Sequence, residues 1–216
     1  MNNEITPSQK SALARAIKDP ALLPLLVQKI SGLKWFEAFE EAGFLKPENN
    51  PRPIQTEQEG YFRVPSWVVA DYLVTSSALL NNQSTSEYAK KYLQLLRDVT
   101  HYAKQNEVGN YRTWWQFAKI LSNLPSQIIS VSDIDLIEFW LSDKFDSGIL
   151  LDELSTWILH LLKKPDTHSK SLILALLAKF IPVLTKRKNL VQKEVLKRCL
   201  NTIHILLSNS LKKQVC

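Results

Sequence analysis

Glycine is scarce in this sequence, with five residues in 216. β-rich folds need many tight turns, and those turns use Gly for positive φ, so the shortage argues against a hairpin-built fold. The five, Gly32, Gly43, Gly60, Gly109 and Gly148, also lie far apart. A phosphate-cradling loop needs closely spaced glycines, because only Gly lets the backbone approach the ligand, so a nucleotide loop is excluded. Cysteine is scarcer still. Cys199 and Cys216 are too few for a disulfide framework, and Cys199 sits on an apolar helix face, where it reads as a buried thiol. Zinc needs about four Cys or His ligands at set spacing. His101, His160, His168 and His204 fall on separate expected elements, so no metal and no cofactor is expected. Long apolar runs are missing too. The nearest to a ~20-residue membrane span is Ser171 to Thr185, which Lys179 interrupts. The first residues, Met1-Asn2-Asn3-Glu4, lack the basic and apolar regions of an export signal. A cytoplasmic protein that makes no membrane contact is expected.

What is present is helical. The chain is 45% hydrophobic, and Leu recurs at helical spacing. A chain of this size buries roughly 70% of its unfolded surface. The expected fold is all-α, with about nine or ten packed helices in a single domain, residues 1–216. Within it, 1–43 hold N-terminal helices, 44–64 a proline-rich loop, and 65–216 a helical-repeat body.

The first helix is expected over Ser8 to Lys18 with Ser8 as N-cap, and Asp19-Pro20 opens a second. A third covers Lys34 to Ala42, with Gly43 as its left-handed stop. From Phe44 to Val64, Pro47, Pro51 and Pro53 exclude helix, while Phe44, Leu45, Tyr61 and Phe62 should pack back. Pro65 or Ser66 opens a helix that reaches Leu80. Ser84-Thr85-Ser86-Glu87 is a capping-box signature before a helix bearing Tyr88, Tyr92, Leu95, Leu96 and Val99 on one face. Asn110 caps the next, with Trp114, Phe117, Ala118 and Leu121, and Pro125 stops it. Ser132-Asp133-Ile134-Asp135 starts another, in which both acids offset the helix dipole. Further helices run from Ser147 to Leu162, from Ser169 to Leu184, and from Asn189 toward Lys213. The Ser169–Leu184 segment is apolar almost all round and should be sandwiched between neighbours, with Pro182 kinking or ending it.

These helices fall into antiparallel pairs. Pair starts near Ser66, Tyr111, Gly148 and Leu190 differ by 45, 37 and 42 residues. That matches HEAT or armadillo-like two-helix repeats of about 40 to 47 residues. A compact helical bundle is the competing fold.

Certain residues resemble a known kind of region. Leu33-Lys34-Trp35-Phe36, Ala42-Gly43-Phe44, Pro47-Glu48-Asn49-Asn50-Pro51-Arg52-Pro53 and Tyr61 to Trp67 form a W-F…A-G-F…P-x-x-N-P-x-P…Y…P-x-W pattern. It resembles a segment in helical regions of large bacterial multidomain proteins. Leu124-Pro125 through Trp140-Leu141-Ser142-Asp143-Lys144-Phe145 resembles its continuation, so the likeness covers roughly residues 20 to 160. Such regions accompany ATPase, nuclease or NAD-consuming modules, some in anti-phage systems. The resemblance implies a scaffold or sensor arm, supplies no catalytic residue, and meets no effector module in these 216 residues.

Catalytic patterns are thin. The carboxylate pairs Glu40-Glu41, Asp133 with Asp135, and Asp152-Glu153 read as surface or helix-dipole acids rather than as the two faces of a cleft. Trp114 and Trp115 are adjacent, so one is buried while the other tends outward. The outward one either stacks on a nucleic-acid base or packs between helices, and packing is favoured. Trp35, Phe36, Phe39, Phe44 and Trp67 either pin the proline-rich loop or frame a peptide-binding pocket, with pinning favoured.

Charge is distributed unevenly. Residues 1–162 carry 15 basic and 19 acidic side chains, and residues 163–216 carry 12 and 2, giving nets of −4 and +10. Such a block attracts polyanions or keeps the surface solvated. Lys186, Arg187, Lys188, Lys193, Lys197 and Arg198 are the candidate residues for nucleic acid or another anionic partner. On the same last helix, Val191, Val195, Cys199 and Ile203 form one apolar stripe, and Leu196, Leu200, Leu207 and Leu211 form another. A terminal helix needs only one covered side, so the second stripe is the candidate protein interface, for self-association or a partner. Two functions follow. One is a non-catalytic scaffold for protein–protein interaction, within a bacterial defence or signalling assembly. The other is a helical-repeat nucleic-acid binder; its enzymatic version, a helical-repeat DNA glycosylase, is more remote.

Overall fold

The computed structural model describes residues 5–16, 22, 26–27, 30–49, 65–80, 86–109, 111–142, 148–163 and 166–186, and then 194, 197–198, 200–202 and 204–205. Among these residues the protein is all-helical, with no strand. The chain forms two compact units, Met1–Pro125 and Ser126–Cys216.

The first unit contains α1 (Pro7–Ala16), α2 (Trp35–Glu41), α3 (Pro65–Ser77), α4 (Ser86–Gln105) and α5 (Tyr111–Asn123). Single 3-10 turns lie at Gly32–Lys34 and Pro47–Asn49. α1 starts one residue before the expected point. Thr6, not Ser8, caps it: the Gln9 amide donates to Thr6 Oγ1 at 3.3 Å, and the Thr6 amide donates to Gln9 Oε1 at 2.8 Å. This reciprocal pair satisfies two free donors, and it leaves Pro7 at the first helical position, where its missing N–H costs nothing.

The end of α2 follows the expected left-handed stop. Gly43 has φ 79°, a value that penalises any Cβ. Its amide donates to the Glu40 carbonyl at 3.0 Å, and the Phe44 amide donates to the Phe39 carbonyl at 2.9 Å. These bonds satisfy carbonyls that the helix end would leave open. They also fold Phe44 back so that its ring meets Phe39 edge-on, with centroids 6.0 Å apart. Phe44 and Leu45 are buried as a result. Helix is not wholly excluded beyond them, because Pro47–Asn49 forms one 3-10 turn against α4. Residues 50–64, with Tyr61 and Phe62, lie outside the described residues, as do the expected second-helix start at Asp19-Pro20, Ser84-Thr85 and Asn110.

α3 packs chiefly on α5 rather than on α4, its neighbour in sequence. Asp71 on α3 accepts from Arg112 Nη2 at 3.0 Å and from Gln116 Nε2 at 2.6 Å. Further along, Asn123 Nδ2 donates to Ser77 Oγ at 2.9 Å. Contacts therefore advance together along both helices, and α3 and α5 run parallel. The second unit repeats this arrangement with α6 (Val131–Trp140), α7 (Gly148–Leu162) and α8 (Thr167–Lys186). His168 Nε2, near the start of α8, bonds the carbonyls of Ser126 at 2.9 Å and Ile129 at 2.8 Å, just before α6. Lys179 pairs with Asp135 at 3.0 Å and Glu138 at 2.6 Å, farther along both helices. α6 and α8 are parallel as well, and α7 also packs on α8.

Two expectations in this unit change. α6 starts at Val131, one residue before the expected Ser132, and Ser130 caps it, with its amide donating to Asp133 Oδ2 at 2.8 Å. Asp133 is therefore a buried first-turn acid, whereas Asp135 lies beyond that turn and serves Lys179. α8 packs between α6 and α7 but is not covered all round. Leu172, Ile173, Leu176, Leu177 and Phe180 are buried, but Ser171, Leu174, Ala178 and Pro182 form a solvent-facing stripe. The stripe has no charge, which is why the segment reads as apolar all round. The helix also continues through Pro182 to Lys186.

The adjacent tryptophans separate as expected. Trp114 has no exposed surface, while Trp115 is half-buried with Lys119 Nζ 4.4 Å from its ring centre. Trp114→Ala should lower stability by about 3 to 5 kcal/mol in urea denaturation. Trp115→Ala should cost markedly less; equal losses would contradict the packing.

Candidate functional site

The basic candidates are only partly within the described residues. The described positions between 194 and 205 are helical. Lys197 is exposed, and Lys186 is the last residue of α8. Arg198 is half-buried, and its Nη1 donates to Asp152 Oδ1 at 2.9 Å and to Ser155 Oγ at 3.4 Å on α7. Its charge is thus matched within the fold. Arg187, Lys188 and Lys193 lie outside the described residues. Of the apolar candidates, Leu200 is 56% exposed, while Leu196, Leu207 and Leu211, like the stripe from Val191 to Ile203, lie outside. No helix among the described residues is long and apolar enough to cross a membrane, and no group of His, Cys, Asp and Glu among them could hold a metal ion.

A better-formed site lies in the first unit. A cavity of about 260 Å³ opens between α2, the turn after it, and α4. Phe36, Leu45, Pro47 and Leu95 form its apolar part; Glu40, Lys46, Lys91, Gln94 and Asp98 supply the polar rim. The stop at Gly43 creates one wall by turning the chain back toward α4. On α4, Lys91, Gln94, Leu95 and Asp98 fall three and four residues apart, so they share one helix face. Gln94 Nε2 donates to Asp98 Oδ1 at 2.8 Å and orients that carboxylate.

A polar network ties α2 to α4 beside this groove. Lys34 Nζ lies 2.9 Å from Glu37 Oε2 and 3.0 Å from the Tyr88 hydroxyl, which donates to Glu37 Oε1 at 3.1 Å. The hydrogen bond to Tyr88, and then that to Glu37, raises the Lys34 pKa above the usual lysine value. Burial pushes Glu37 up, but the hydrogen bonds from Lys34 and Tyr88 outweigh it and leave its carboxyl below the ordinary value. Phe36 meets Tyr92 ring to ring at 4.7 Å. Burial pushes the Tyr92 hydroxyl up to about 12.

The aromatic cluster expected near this site therefore divides. Trp35 is held by the carbonyls of Val27 and Ile30 at 3.1 and 2.8 Å and by the edge of Tyr72. Phe39 and Phe44 are core. Among the described side chains of the cluster only Phe36 lines the groove, and that of Trp67 lies outside them. The α4 wall belongs to no site expected from the sequence, because nothing local says which helix Lys91, Gln94 and Asp98 meet. Comparison with protein-family models, curated proteins and solved structures finds no match.

The network predicts a pH dependence. A depressed carboxyl contributes stability above its unfolded pKa and loses it as pH falls through the folded value. Glu37→Gln should therefore cost about 1 kcal/mol at pH 7. Its gap from the parent should close below about pH 4. Urea midpoints at pH 7 and pH 3 check this; a constant gap would contradict the ionised network.

Proposed function

We propose that this chain is a non-catalytic helical-repeat scaffold that holds a protein partner, within a bacterial defence or signalling assembly of the kind its resemblance implies. The observation that carries the reading is the set of large apolar side chains left in water in residues 126–216. Leu174 is 59% exposed, Ile149 and Leu200 56%, Val131 48%, and Ile205 45%. Single exposed apolar residues are ordinary, and the first unit has Leu22, Leu79 and Tyr111, but six of the nine exposed large hydrophobics among the described residues fall in 126–216, and that excess favours a surface that is covered in use. Burying a Leu fully is worth about 1.5 to 3 kcal/mol.

The helix packing supports the repeat architecture. In an up-and-down bundle, sequence neighbours pack antiparallel as the main contacts. Here α3 rests chiefly on α5, and α6 on α8, each pair parallel and separated by one helix. The starts of these partners differ by 46 and 36 residues, near the 40 to 47 of two-helix repeats. Protein is favoured over nucleic acid as partner because Arg198 and Lys179 are paired to acids within the fold.

Affinity capture from the native host with the full chain tests this. Leu174→Glu and Leu200→Glu change exposed positions and should keep the fold while releasing the partner, even at ~0.5 M salt, where phosphate contacts are already weakened. Equal capture by parent and variants would sink the reading. Binding of mixed DNA or RNA at ~50 mM salt that is lost on neutralising Lys186, Arg187, Lys193 and Lys197 would replace it with the nucleic-acid one.

A further inference from the structure

We infer that the α2–α4 groove seats one large apolar side chain of a partner peptide that carries an acidic residue on one side of that anchor and a basic residue on the other. The inference rests on the scaffold reading and names a second contact point for a protein. Size is the first argument. At about 260 Å³ the cavity falls below the roughly 300 to 1,000 Å³ of small-molecule sites, and it suits a single Leu, Met or Phe. The groove surface is chemically suited to such an anchor. Leu45, Leu95 and Phe36, which line it, keep 8%, 7% and 3% of their surface open. An inserted apolar group would remove that remainder from water.

The rim decides what flanks the anchor. Along the α4 wall the order is Lys91, Gln94, Asp98, a cation followed two turns later by an anion. At 1.5 Å per residue these ends stand about 10 Å apart. Glu40 and Lys46 also line the groove, and Lys46 already has a partner within the fold. Along this wall a ligand of one charge sign would meet repulsion at one end, whereas a dipolar ligand is complementary at both. The 10 Å separation excludes a single amino acid, whose ammonium and carboxylate share one carbon. About three residues of extended peptide span it. The complementary sequence is therefore an acidic and a basic residue about three positions apart, with a large apolar residue between.

Selection of a displayed random 12-residue peptide library on the immobilised full chain, followed by fluorescence polarisation of the enriched peptides, tests this. Enrichment of that pattern is expected. Gln94→Trp, a change at an exposed position that fills the groove mouth, should weaken those peptides about tenfold or more. Lys91→Glu makes the α4 wall acidic at both ends. It should weaken the dipolar peptides about three- to fivefold and enrich peptides that are basic on both sides. Enriched peptides of one charge sign, peptides indifferent to Gln94→Trp, or no enrichment would each overturn the groove assignment. The scaffold reading is judged separately by host capture with Leu174→Glu and Leu200→Glu. Groove binding without that capture sinks the surface of residues 126–216 alone, and capture without groove binding sinks the groove alone.

Discussion

Two helices that lie parallel in contact cannot be joined by a tight turn, because the end of one and the start of the next are a helix length apart. That constraint governs both units. Asp71 reaches Arg112 and Gln116, and Asn123 reaches Ser77, so α3 and α5 advance side by side and α4 must carry the chain back between them. His168 and Lys179 impose the same relation on α6 and α8, with α7 as the return. The returning helices are amphipathic as a result. α4 buries Tyr92, Leu95, Leu96 and Val99 and leaves its other faces to charge, a division that a helix covered on one side requires. The polar stitches that fix the parallel register are mostly exposed or half-exposed. They contribute modestly to stability, and burial of Trp114, Phe117, Trp140 and Phe180 supplies the larger share.

Within the first unit, one backbone conformation has a disproportionate effect. Positive φ at Gly43 lets two amides close the end of α2, and the turn that results carries Phe44 onto Phe39 and Leu45 toward α4. Without it the chain would leave α2 along the helix axis, and no wall would stand opposite Lys91, Gln94 and Asp98. The groove is thus a consequence of helix termination. Its polar neighbour, the Lys34–Glu37–Tyr88 network, holds α2 against α4 across the same joint.

Much of the fold was legible because its signals are local. Gly43 marks a stop by its conformational freedom, the spacing from Tyr88 to Val99 marks a buried face, and Pro125 marks an end. What failed was choice among equivalent local signals. Ser8 is as good a cap residue as Thr6, and Ser132 as good a place to start a helix as Val131; the reciprocal partners, Gln9 for Thr6 and Asp133 for Ser130, decide the matter three residues on. The outward stripe of α8 failed for another reason. Ser171, Leu174, Ala178 and Pro182 carry no charge, so hydrophobic pattern alone could not tell a covered face from an open one. The groove was half legible: Phe36 belongs to a cluster noticed for its aromatics. Lys91, Gln94 and Asp98 have meaning only once α4 is known to face the turn after Gly43, and that is a tertiary fact.

Formal charge in the last third is likewise a poor guide until partners are known. The sequence has 12 basic against 2 acidic residues in 163–216, which reads as a polyanion surface. Yet Arg198 is anchored to Asp152 on α7, and Lys179 lies between Asp135 and Glu138 on α6. In each case a cation from the basic block is matched by acids from outside it. The uneven charge therefore does part of its work inside the second unit, joining later helices to earlier ones. A paired guanidinium must lose its carboxylate before it can bind a phosphate, and this weakens the electrostatic case for nucleic acid. The open apolar side chains face no such competitor, since water is their only alternative partner. That asymmetry is what favours protein over nucleic acid in the reading proposed for residues 126–216.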